Sequence, residues 1–144
     1  MKIIQLDSAP YNQDVWVIVG NSASDAIKYI NEKFKDNIDK LDNDGERCMG
    51  FQWKTHYPSG IYEKARFFVY INLEASKKAS VIEHELIHLT WDILTHVGVR
   101  LTPSNHEAQT YLFDHLLKQL KLKLHGRVNN RRTQKSKKSN QRKS

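Results

Sequence analysis

Cysteine is almost absent: the 144-residue chain has one, Cys48. A single thiol can build neither a disulfide framework nor a cysteine-based zinc site, and it fits a reducing compartment. Long apolar runs are missing too. The start, Met1-Lys2-Ile3-Ile4-Gln5-Leu6-Asp7, is too short a run for a signal peptide, and nothing approaches a membrane span. The expectation is a cytoplasmic protein with no membrane partner. No internal repeat is visible. Acids and aromatics are missing from one stretch only. Residues 126–144 hold eight Lys/Arg and neither acid nor aromatic ring, whereas residues 1–125 carry 15 basic against 16 acidic groups. The +7 charge of the chain therefore sits in its last segment. Such a segment cannot bury a core, so composition predicts one domain over 1–125 and a disordered basic tail over 126–144. The charge of residues 127–144 suits non-specific contact with nucleic acid or an acidic surface, or serves solubility alone. Without aromatic rings to stack on bases, sequence-specific recognition is not expected.

What is there is sharper. His84-Glu85-Leu86-Ile87-His88 spells HExxH. A helix turns once per 3.6 residues, so the two histidines project from one face, one turn apart, and can grip a single Zn²⁺. Glu85 then stands beside the open coordination position, where a general base is needed. With seven His in the chain, the pentapeptide arises by chance in roughly one or two per cent of such sequences.

A third ligand is available downstream. Gly98 and Pro103 break the chain, and Thr102-Pro103-Ser104-Asn105 reads as a helix start. A second helix is predicted from about Pro103 to Leu124, with Leu112, Leu116, Leu117, Leu120 and Leu124 as its apolar stripe. Glu107 lies in its first turn, and an antiparallel helix pair would return it toward the histidines. Glu107, Tyr111 and Asp114 share a face, as a ligand, a substrate contact and a carboxylate that orients a ligand histidine. Glu107 also suits a first turn through the helix dipole alone. On the first helix, Leu86, Ile87, Leu89, Trp91, Ile93 and Leu94 are expected to form the buried side. Asp92 either orients His88 or is an ordinary exposed carboxylate. His96 and His106 are candidate oxyanion donors or metal neighbours, and His56, His115 and His125 read as exposed or structural.

Upstream, Lys2–Leu6 and Val15–Val19 are short strand-like runs. Ser22 or Ser24 can cap a helix reaching to about Leu41, with Ala26, Ile30, Phe34 and Ile38 at i+4 steps. Arg47–Lys54 and Ala65–Leu73 follow as strands, the latter apolar on both faces.

The string His84-Glu85-Leu86-Ile87-His88, eighteen residues, then Glu107-Ala108, resembles the gluzincin arrangement of thermolysin-like zinc metallopeptidases. Val81–Leu117 also resembles small phage-encoded metallopeptidase-like proteins. The family's Asn before the glutamate is replaced by His106, and its acidic residue four after by Tyr111. The metzincin pattern is not met, since its third histidine would fall on Leu94. The resemblance implies an α+β fold: a small zincin-like domain with a twisted sheet of three to four strands packed on three helices, and the active-site helix pair in the C-terminal half. It implies Zn²⁺ as cofactor, His84, His88 and Glu107 as ligands, Glu85 as catalytic base, a protein or peptide substrate, and a host cytoplasm. In such folds a sheet-edge strand lies above the metal and takes a peptide by main-chain pairing; Phe67–Leu73 is the expected edge. Two function classes follow: a zinc-dependent endopeptidase, and a non-catalytic binding or assembly protein that zinc stabilises and whose basic tail makes the contact.

Overall fold

The computed structural model describes residues 1–39, 49–56, 64–77 and 79–140, with side chains of the final helix described to Gly126. Among these residues the chain forms an α+β domain, a four-stranded mixed sheet with three helices. The strands are β1 (Lys2–Leu6), β2 (Asp14–Gly20), β3 (Gly50–His56) and β4 (Ala65–Asn72). Their order across the sheet is β1-β2-β4-β3. β1 and β2 are antiparallel, β2 and β4 parallel, and β4 and β3 antiparallel.

The two-residue period of a strand sends alternate side chains to opposite faces. Val15, Val17 and Val19 of β2 and Phe67, Val69 and Ile71 of β4 enter one core, and Ile18, Phe68 and Tyr70 enter the other. Strands apolar on both faces belong in a sheet interior, and β4 is flanked by β2 and β3. The expectation that Phe67–Leu73 forms the sheet edge is therefore corrected. Among the described residues the edge on that side is β3.

The helix α1 (Ala23–Phe34) covers the second core. The Ser22 side chain accepts from Asp25 N at 3.2 Å, which starts the helix. It was expected to reach Leu41 but ends at Phe34, where Lys35 turns to φ 55°. The Asn31 amide explains the stop. It donates to Ile38 O at 3.0 Å and accepts from Ile38 N at 2.8 Å. Ile38 still enters the core, but from an extended segment. Residues 40–48, with Cys48 and the beginning of the expected third strand, lie outside the described residues.

The first core is closed by α2 (Ala79–His96) and α3 (His106–Asn140). Gly98 at φ 83° ends α2; its N–H donates to Thr95 O at 3.1 Å, and Val99 N–H donates to Leu94 O at 2.8 Å. These two bonds satisfy the last carbonyls and reverse the chain. A 3-10 turn, Pro103–Asn105, leads into α3. Leu112, Leu116 and Leu120 are buried at the α2–α3 seam, as their spacing predicts. On α2, Leu86, Leu89, Ile93 and Leu94 are buried, but Ile87 (37% exposed) and Trp91 (41% exposed) are not. That corrects the wider buried face: only the stripe facing sheet and α3 is covered. The backbone of α3 continues as helix to Asn140, past the expected end near Leu124. Arg, Lys and Gln carry good helix propensity, and no proline follows Gly126. No helix among the described residues is long and apolar enough to cross a membrane.

Candidate metal centre

His84 and His88 lie one turn apart in the middle of α2, and their Nε2 atoms stand 3.2 Å from each other. Two nitrogens that each lie 2.0–2.1 Å from one tetrahedral zinc are separated by about 3.3 Å. The pair thus matches the chord of a zinc site, the alternative for so short an approach being a direct hydrogen bond between the rings. Both imidazoles are exposed on the outer side of the helix. At 100° per residue, Glu85 and Asp92 turn toward β3, and Trp91 turns the opposite way. The Trp91 ring meets His88 edge to face, with centroids 6.0 Å apart.

The β3 edge supplies the other wall. Residues two apart on a strand share a face, and Gly50 and Gln52 both face Glu85. Gln52 Nε2 donates to Glu85 O at 2.9 Å and reaches Glu85 Oε2 at 3.4 Å. A Cβ built on Gly50 would lie 2.7 Å from Glu85 Cδ and 2.8 Å from Oε1. Between the two strands of chain there is room for a carboxylate only because residue 50 has no side chain. Two residues on, Lys54 acts on Asp92. Burial pushes the Asp92 carboxyl above its ordinary range, and the charges of Lys54 and His88 pull it partly back. At the end of β3 the His56 ring lies 5.7 Å from that of His96, which also meets Phe67 at 5.7 Å. Gln52, His84, Glu85, His88 and Asp92 line an open cleft of about 330 Å³. A larger hollow, about 730 Å³ beside Asn31 and Ile38, lies on the α1 side and contains none of these groups.

The structure brings together His84, Glu85, His88 and Asp92, and it does not bring Glu107 to them. Glu107 has a 93% exposed side chain and lies 3.7 Å from His106 Nε2. Further along the helix pair, Glu83 and Lys121 make an ion pair at 3.3 Å. Among the described residues no group of three or more His, Cys, Asp or Glu is assembled for a metal. The other candidates also stand apart. His106 Nδ1 donates to Pro103 O at 2.8 Å, and Asp114 pairs with Lys118 at 2.7 Å. Tyr111 stacks on His115, which lies 3.3 Å from Asp7. His96 lies at the far end of the same polar ladder. Sequence reasoning missed Gly50, Gln52 and Lys54. Their signal was the alternation Gly50-Gln52-Lys54-His56, a polar face on a strand whose other face carries Phe51 and Trp53.

No protein-family model, curated protein or solved structure matches the chain.

Proposed function

We propose that the protein is a zinc-dependent metallopeptidase of HExxH type, with His84 and His88 as metal ligands and Glu85 as the catalytic base. The observation that carries this reading is the 3.2 Å approach of the two Nε2 atoms beside the Glu85 carboxylate, which the Gln52 amide reaches at 3.4 Å. The imidazoles present ring nitrogens to a cleft open to water, which is the donor chemistry a borderline-soft divalent ion selects. Zinc held there would polarise a peptide carbonyl and acidify water at the site. Glu85 accepts the proton of the attacking water and returns it to the leaving amine. Asp92, beside His88, orients that ring and balances charge as the metal is taken up. Among the described residues β3 is the outermost strand on that side and borders the same cleft, so an extended peptide pairing beside it would pass over the histidines. Glu107 joins the donor set only if the first turn of α3 closes toward α2.

Glu85→Gln tests the reading, because it keeps the shape and removes the base. Zinc content and melting temperature should be retained while peptide cleavage falls about 10²–10⁴-fold. Undiminished cleavage by the variant sinks the assignment.

The continuation of α3 to Asn140 favours a second reading. In it, zinc ties down α2 without catalysis, and the basic segment 127–144 contacts nucleic acid or an acidic protein.

A further inference from the structure

The β3 edge does more than border the cleft. We propose that Gly50 and Gln52 are positioning residues that hold the Glu85 carboxylate in one place beside the histidine pair. The inference deepens the metallopeptidase reading and rests on it for its kinetic consequence.

A glutamate on a helix surface has three rotatable bonds and ordinarily samples several rotamers. Glu85 is met from β3 by two residues on one face of the strand. Its Cγ, Cδ and Oε1 all lie within 3.0 Å of the place a Cβ would take on Gly50. The carboxylate therefore lies in space that Gly50 leaves open beside its backbone, and an alanine Cβ there would displace it. From the other side, the single Gln52 amide reaches both the backbone carbonyl and the carboxylate of the same residue, at 2.9 and 3.4 Å. The backbone bond fixes the register of β3 against α2, and the longer one steers the carboxylate. Phe51 between them points to the opposite face and stacks on Tyr70 at 5.3 Å, which locks the strand's rotation. Two consecutive same-face positions of one strand thus act on one side chain. A base held this way need not be ordered when substrate arrives, and misplacing a reacting group by an ångström costs of the order of 10²-fold in rate.

The experiment uses the full chain with Gln52→Leu and Gly50→Ala. In the metal-free protein, NMR should show cross-peaks between Gly50 Hα and Glu85 Hγ. Gln52→Leu should weaken or abolish them while zinc binding and the melting temperature are retained. With zinc and a mixed peptide library, each variant should lower kcat roughly 10–100-fold with KM little changed. In a Glu85→Gln background, Gln52→Leu should add nothing, since it acts through Glu85. A purely structural tie would reduce both backgrounds alike. Intact Gly50–Glu85 cross-peaks in Gln52→Leu, or an equal loss of kcat in the Glu85→Gln background, overturns the proposal. If the wild-type chain cleaves nothing, the peptidase reading fails, and the cross-peaks alone decide whether Gln52 and Gly50 fix Glu85.

Discussion

The metal should announce itself as stability. A ligand that binds only the folded chain raises its stability by RT ln(1 + [L]/Kd), about 2.7 kcal/mol at a free concentration 100 times Kd. His84 and His88 already stand 3.2 Å apart, close to the ~3.3 Å that zinc requires, so little reorganisation opposes binding. Unfolding entropy is about 2.1 cal/mol/K per residue. For a packed body ending near Leu124, the last core-packed residue of α3, this gives ~0.26 kcal/mol/K and a rise of ~10 °C. The assay is thermal unfolding of chelator-stripped protein, with free Zn²⁺ set at 100 times the Kd measured by calorimetry. His84→Ala or His88→Ala should each abolish most of the shift, because one imidazole retains only half of the described donor set. An undiminished shift in the double variant would refute the reasoning, placing the metal elsewhere. Glu107→Ala is the informative companion. With its carboxylate 93% exposed and remote from the pair, the variant should keep most of the shift. Complete loss would mean that the first turn of α3 closes onto zinc.

Two further expectations concern charge and boundary. Asp92 has a raised folded-state pKa caused chiefly by burial, so the folded chain holds that proton more tightly than the unfolded one. Its contribution to stability is greatest below the ordinary carboxylate range and is lost as pH rises through the folded pKa. Metal-free Asp92→Asn should melt slightly above wild type at neutral pH, with the gain vanishing in acid; a gain that persists at low pH refutes the cause. Deleting residues 127–144 should leave the fold and zinc uptake intact, because the core seam of α3 ends at Leu124. Any polyanion binding should disappear with that segment, and in the full chain it should fall steeply with salt. An unfolded deletion would move the domain boundary.

What was legible in the sequence followed distance along the chain. The histidine pair is set by a local spacing, and the Leu112-Leu116-Leu120 stripe by another, so both could be read directly. The sheet order could not. Its place before the HExxH helix suggests an edge for β4, although its two apolar faces, Phe67-Val69-Ile71 and Phe68-Tyr70, are those of an interior strand. The end of α1 was hidden for a different reason. Ala26, Ile30, Phe34 and Ile38 keep a helical period, yet one asparagine, Asn31, captures both backbone groups of Ile38 and ends the helix first. The Glu107 expectation depended on the register of two helices, which packing along the Leu112-Leu116-Leu120 seam decides and which no local pattern encodes. The tail was judged on what it could bury, but backbone helicity depends also on propensity, and the two differ over residues 127–140.

The choice between enzyme and zinc-pinned scaffold turns on residue 50 more than on the histidines. A metal that merely ties down α2 needs two imidazoles and makes no demand on Glu85. Gly50 is the first residue of β3 and has no positive φ that calls for glycine, so a scaffold gives no reason for one there. The carboxylate occupies the very space that any other residue at position 50 would fill, and Gln52, two residues on, bonds the same glutamate. Glu85 is also the motif residue that metal binding does not require. Gly50→Ala therefore separates the readings in one protein: on the catalytic reading it leaves stability near wild type or higher wherever β3 can shift, and turnover falls. On the scaffold reading it changes nothing but stability. Full cleavage by a folded Gly50→Ala chain would remove this argument for catalysis.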